Sequence, residues 1–153
     1  MRGRYAIMLK AVQSSFDLPF IGKLVLGHYW QTFSPAQRNT FMRLFSRLAA
    51  VTYAYNFNGY NGQEIKIDRS VGRRTDAFVY TLFFVPGHGH QHSFDYVLRK
   101  EGHRWLIVNI VADGVSDMAI RREEYQGYLK HGSFAGLVAA MRHQYAKLAK
   151  AGR

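Results

Sequence analysis

Phe94-Asp95-Tyr96-Val97-Leu98-Arg99-Lys100, followed by Trp105-Leu106-Ile107-Val108-Asn109-Ile110-Val111-Ala112-Asp113-Gly114-Val115-Ser116, is the stretch whose reading decides the fold. Phe94, Tyr96 and Leu98 alternate with Asp95, Val97 and Arg99, which is the period of a strand with two unlike faces. Glu101-Gly102 reads as a tight hairpin turn. Residues 103–112 then read as the neighbouring strand.

Working upstream, period two continues. Residues 76–85 place Phe78, Tyr80, Leu82 and Phe84 on one face and Val79, Thr81 and Phe83 on the other. Ile65 and Ile67 alternate with Lys66 and Asp68 in a further strand. Pro86-Gly87-His88-Gly89-His90 reads as a loop.

Outside this block the apolar period is helical. Residues 4–14 carry Ile7, Met8, Ala11 and Val12 on one stripe. Asp17 is a candidate N-cap for a helix over 18–30, with Pro19 in its first turn and Ile21, Leu24, Val25 and Tyr29 as its apolar face. Ser34-Pro35-Ala36-Gln37 has the form of a capping box, and Phe41, Leu44, Phe45, Leu48, Thr52 and Tyr55 recur at helical spacing to about residue 56. Asn58-Gly59 and Asn61-Gly62 end that segment. A helix is expected near Ser116-Asp117. Another is expected from Ser133, with Leu137, Val138, Met141, Tyr145 and Leu148, after a break at Gly132. The order predicts an α+β domain over residues 1–153. In it a twisted four-stranded antiparallel sheet packs with N- and C-terminal helices into a cone enclosing an apolar pocket.

Composition narrows the function classes. An apolar fraction of 48% with 15% aromatics excludes a disordered chain, and no apolar run is long enough to span a bilayer. The absence of cysteine excludes disulfides, thiol catalysis and thiolate metal sites. Residues 1–10 lack the apolar core of a signal peptide, so any such segment is expected to be already removed or outside this numbering. The net charge is +11, and the first 60 residues hold seven Lys/Arg against the single acid Asp17. That balance favours anionic partners. The bases are scattered singly or in pairs such as Arg73-Arg74 and Arg121-Arg122, without the dense run of a nucleic-acid-binding module, so no nucleic-acid partner is expected.

Two other chemistries have partial signals in the sequence. His88, His90 and His92 share a face if extended, which suits imidazole binding of zinc, copper or nickel. They lie in a glycine-containing loop with no carboxylate beside them, so no metal is expected. An enzyme on a cone fold would use a pocket carboxylate as base. Asp68, Asp76 and Asp95 are the strand carboxylates, and Asp95 should point away from Phe94 and Tyr96. His28 and His103 lack an acid partner in sequence, and no Gly-x-Ser-x-Gly motif is present. No enzymatic activity and no cofactor are expected.

Several motifs in order resemble one family. Phe16-Asp17-Leu18-Pro19-Phe20-Ile21, Leu26-Gly27-His28-Tyr29-Trp30, and Ser34-Pro35-Ala36-Gln37-Arg38 leading to Phe41, Phe45, Leu48 and Tyr53 resemble MlaC-like (toluene-tolerance) proteins. So do Gly102 with Trp105 and the later Asp113-Gly114-Val115-Ser116. The run Ala112 to Arg122 with Glu124-Tyr125 is most similar to the hopanoid-associated HpnM branch. Asn109, where the family often has Asp, and Asp117-Met118-Ala119, where it often has Asn-Tyr-Arg, point the same way. The resemblance implies a periplasmic carrier that binds a hopanoid or phospholipid. It would shuttle that lipid between membranes with membrane-bound components of an ABC-transporter-type system, touching the membrane surface transiently.

Physics sets what such a carrier needs. At about 0.8 kcal/mol per methylene, exposing the roughly thirty apolar carbons of a membrane lipid to water costs about 20 kcal/mol. The tail must therefore enter a cavity lined by large apolar side chains. The expected pocket residues are Leu24, Tyr29, Phe41, Phe45, Leu48, Phe78, Tyr80, Leu82, Phe84, Phe94, Tyr96 and Leu98. Arg43, Arg47, Arg73 and Arg74 are candidates for contacts with anionic head groups or an acidic protein face.

Overall fold

Asp17 shows how the helices are tied to the sheet. In the computed structural model, which describes residues 2–57, 59–87, 89 and 91–151, helix α1 spans Arg2–Ser15 and α2 spans Leu18–Leu26. The Asp17 carboxylate accepts from the Phe20 amide (3.1 Å) and caps α2. Its own amide donates to the Ile107 carbonyl (3.0 Å), and Arg99 lies 3.4 Å from its second oxygen. One residue thus starts a helix and fastens it to two strands.

The expected helix over 18–30 is two helices, α2 and the short α3 (Tyr29–Thr32). The break is at Gly27, whose φ of 57° is costly for other residues. A Cβ there would also lie 2.7 Å from the Gln126 amide nitrogen, which donates to the Val25 carbonyl. Helix α4 (Pro35–Asn56) opens with the expected capping box. The Gln37 amide donates to Ser34 Oγ (3.2 Å), and the Ser34 amide donates to Gln37 Oε1 (2.8 Å).

The sheet is an antiparallel meander in the order β1 (Glu64–Gly72), β2 (Asp76–Phe84), β3 (Gln91–Glu101), β4 (Arg104–Ala112), β5 (Val115–Ser116). Five strands replace the expected four. The extra one is a two-residue strand made when Asp113 (φ 48°) and Gly114 (φ 83°) turn the chain back on β4. Ser116 then caps α5 (Asp117–His131), its Oγ accepting from the Ala119 amide at 3.1 Å. Helix α6 spans Phe134–Ala151.

The core is helical. Phe41, Phe45, Leu48 and Val51 of α4 are buried among Ile21, Val25 and Leu26 of α2, Tyr125 and Leu129 of α5, and Leu137 and Met141 of α6. Within the described residues, Val108 is the sheet's member of this buried apolar cluster. It owes its place to a bulge in which Val108 and Asn109 together oppose Val97. Helix–sheet packing falls on β4, which meets α1, α2 and α5. The Arg104 guanidinium adds a bond to the Ser14 carbonyl at the end of α1.

Two substitutions check these anchors. Asp17→Ala removes the α2 cap and the Arg99 pairing together, and is expected to lower unfolding free energy by about 1–2 kcal/mol in urea titration. Tyr125 packs edge-on against Phe41 (5.9 Å) and Phe45 (6.3 Å), while its hydroxyl makes no hydrogen bond of good geometry. Tyr125→Phe should therefore be close to neutral, whereas Tyr125→Ala should cost about 3–5 kcal/mol.

Candidate functional site

The register of the sheet divides the expected pocket residues. Directly opposed residues of an antiparallel pair share a face. Phe78 opposes Val97, which opposes Asn109, and Val97 packs on the helical core. Phe78, Tyr80, Leu82 and Phe84 therefore share a face with Val97 and Arg99, whose guanidinium lies 4.4 Å from the Phe20 ring, while Tyr96 on the other face lies near enough to Tyr53 of α4 to help raise its phenol. Phe94, Tyr96 and Leu98 oppose Thr81, Val79 and Ala77 on the other face, where Phe83 and Phe94 meet edge-to-face at 5.5 Å. The three strands do not present one common wall, because consecutive opposed residues alternate sides. Asp95 does point away from Phe94 and Tyr96, and this sets it opposite Tyr80.

The exposure pattern of β2 is unusual. Phe78, Val79, Tyr80, Leu82, Phe83 and Phe84 are all only half-buried, and the strand's one buried residue is Thr81, whose hydroxyl donates to the Phe94 carbonyl at 2.6 Å. Every residue of β1 is exposed, including Ile65 at 55% and Ile67 at 70%. The outer sheet thus carries apolar surface that the helices leave uncovered.

Between β4 and helices α2, α4 and α5 lies an interior hollow lined by Phe16, Ile21, Phe45, Tyr53, Val108 and Met118, among others. Its volume is about 20 Å³, room for roughly one water molecule. Of the twelve expected pocket residues, Phe45 lines it. Phe41 stacks behind Phe45 at 5.5 Å, Leu48 is fully buried, and Leu24 and Tyr29 are half-buried, Tyr29 against His28 at 4.0 Å.

Polar groups border the hollow on the α5 side. The Asn109 amide donates to Ser116 Oγ (2.9 Å), and its oxygen accepts from the Met118 amide (3.2 Å). An ionised aspartate could accept from the Ser116 hydroxyl and the Met118 amide but could not donate to Ser116 Oγ. Arg121 Nε donates to Asp117 Oδ2 at 2.8 Å, and its guanidinium lies 6.0 Å from the Phe45 ring. Burial alone would loosen the Arg121 proton. The neighbouring Tyr125 and Asp117 outweigh that and hold it more tightly than usual. Burial likewise raises the phenols of Tyr53 and Tyr125. Sequence reading placed Arg121 in a motif without a role. The i,i+4 spacing of Asp117 and Arg121 is the signal that could have found this pair.

A second, larger space lies on the far side of the helices. It is a groove of about 670 Å³ bounded by α1, the start of α2, α4 and α6. Arg43 and Arg47 line it, while Arg73 and Arg74 are exposed near the β1–β2 turn. Leu18 lines both the groove and the interior hollow.

His88 and His90 lie outside the described residues, as does Asn58. His92 Nδ1 is 2.7 Å from Asp113 Oδ2. The Asp113 carboxyl is held below its ordinary range by the Ser93 amide and by His92. Among the described residues no three His, Asp or Glu cluster as a metal site.

Comparison with known proteins matches this architecture. The chain is 24% identical over 129 residues to the intermembrane phospholipid transport system binding protein MlaC of Haemophilus influenzae. That match takes in 82% of this chain and 60% of the relative's length. A solved structure of a phospholipid-binding protein from Ralstonia solanacearum, in complex with a phospholipid, superposes with a TM-score of 0.81. It covers 97% of this chain and 86% of that one at 20% identity, a likeness of fold. The family model described as MlaC protein matches residues 1–143, and the chain belongs to that family.

Proposed function

We propose that this protein is a periplasmic, non-enzymatic lipid carrier that holds the apolar part of a hopanoid or phospholipid between the sheet and the helices. It would shuttle that lipid between membranes with an ABC-transporter-type system. The observation that carries the reading is β2: six large apolar side chains, none of them buried. A strand of this composition normally lies within a core. Apolar surface left uncovered in this way marks a binding surface.

In this reading the sheet lines the pocket with Phe94 and Tyr96 as well as Phe78, Tyr80, Leu82 and Phe84, and the wall from the helices centres on Phe45. The interior hollow is far below the roughly 300–1,000 Å³ of pockets that enclose small ligands. Lipid entry therefore requires the sheet to swing away from α4. The principal helix–sheet contacts are on β4, and β3 adds Val97 and Arg99, so the motion would be greatest at β1 and β2. The +11 charge favours approach to anionic membrane surfaces and to acidic faces of transporter components. Asn109 and the Asp117-Met118-Ala119 run favour the hopanoid-associated branch.

Two experiments test the proposal. Native mass spectrometry and organic extraction of protein purified from its own host should yield a bound hopanoid or phospholipid. Extracts free of hopanoid, phospholipid and fatty acid would remove the carrier reading. A charge at Leu82 or at Phe94 should abolish lipid retention while the helical signal persists. Wild-type lipid content in both Leu82→Arg and Phe94→Arg, with unchanged helical circular dichroism, would put the pocket elsewhere.

A further inference from the structure

We infer that the groove between α1, α2, α4 and α6 is a second binding site, for an amphiphile with one acyl chain and an anionic head. The inference goes beyond the carrier reading and does not depend on it. Leu18, Met42 and Leu44 supply an apolar floor. Arg43, Arg47 and Arg142 line the same space, with no acidic side chain among its lining residues. None of the three arginines has a carboxylate within ion-pair distance among the described residues. Arg47 is held in place by Tyr5 and by Tyr145, whose ring lies 5.1 Å from its guanidinium.

The groove has a volume of about 670 Å³ and is open to solvent along its length. Guanidinium groups around an apolar floor match a head of one negative charge or more joined to a chain.

The test uses n-dodecyl phosphate below its micelle concentration, with inorganic phosphate and uncharged dodecyl maltoside as controls, read by calorimetry and native mass spectrometry. The wild type should bind dodecyl phosphate more tightly than either control. The double variant Arg43→Gln/Arg142→Gln should bind it about tenfold more weakly or worse, with unchanged circular dichroism. Equal affinity in the arginine double variant, equal binding of dodecyl maltoside, or full competition by inorganic phosphate at matched concentration would each overturn the inference. Wild-type protein that carries no co-purified lipid yet binds dodecyl phosphate through Arg43 and Arg142 would sink the interior-pocket reading and leave the groove standing.

Discussion

The structure depends on a single line of adhesion between two layers. The helices pack around α4 into a core of their own, and the sheet is joined to that core along β4. A sheet attached across a whole face would bury its inner side chains. One attached along one strand cannot, because neighbouring strands are nearly 5 Å apart and the sheet twists as it leaves the contact. The apolar side chains of β2 and β3 are consequently left half-covered, at a cost of hydrophobic stabilisation that an ordinary core would have gained. This uncovered surface is what a lipid-binding reading requires.

The seam itself is strongly made. The bulge on β4 turns both Val108 and Asn109 toward the helices, one into the apolar core and one into hydrogen bonds with the start of α5. Asp17 fastens α2 on the same strand through the Ile107 carbonyl, and Arg104 fastens the end of α1. These ties end on backbone carbonyls and amides, so they place the elements with little dependence on what fills the space beyond β4. A rigid seam with a loosely covered wing is a plan in which the wing can move while the core keeps its packing.

Much of this plan was legible in the sequence because it rests on local chemistry. The capping box at Ser34 and Gln37, the cap at Asp17, and the alternation of β2 and β3 are written in neighbouring residues. The break at Gly27 was not, because the close approach of Gln126 comes from a helix a hundred residues away. The fifth strand is two residues long, below what periodicity can register. For the candidate site, the apolar residues of each strand were sorted correctly within the strand. Alternation alone cannot say how the faces of two strands match, and register placed Phe94, Tyr96 and Leu98 opposite the side of Phe78, Tyr80 and Leu82. The groove of Arg43, Arg47 and Arg142 was invisible for a similar reason: α6 brings Arg142 to α4 only in the folded chain.

The proposed opening of the interior follows from comparing what is filled with what is uncovered. The hollow of about 20 Å³ shows the helix–β4 layer already packed, so space for a tail cannot be taken from that layer without loss of core contacts. It can be made beyond β4, where β2 offers aromatic and aliphatic side chains whose burial is incomplete. At about 25 cal/mol per Å² of apolar surface removed from water, covering those side chains and the tail at once returns free energy from both partners. The balance favours a sheet that opens around a guest and closes in its absence. It makes the half-buried strand, rather than a pre-formed cavity, the feature that identifies this molecule as a carrier in the proposed reading.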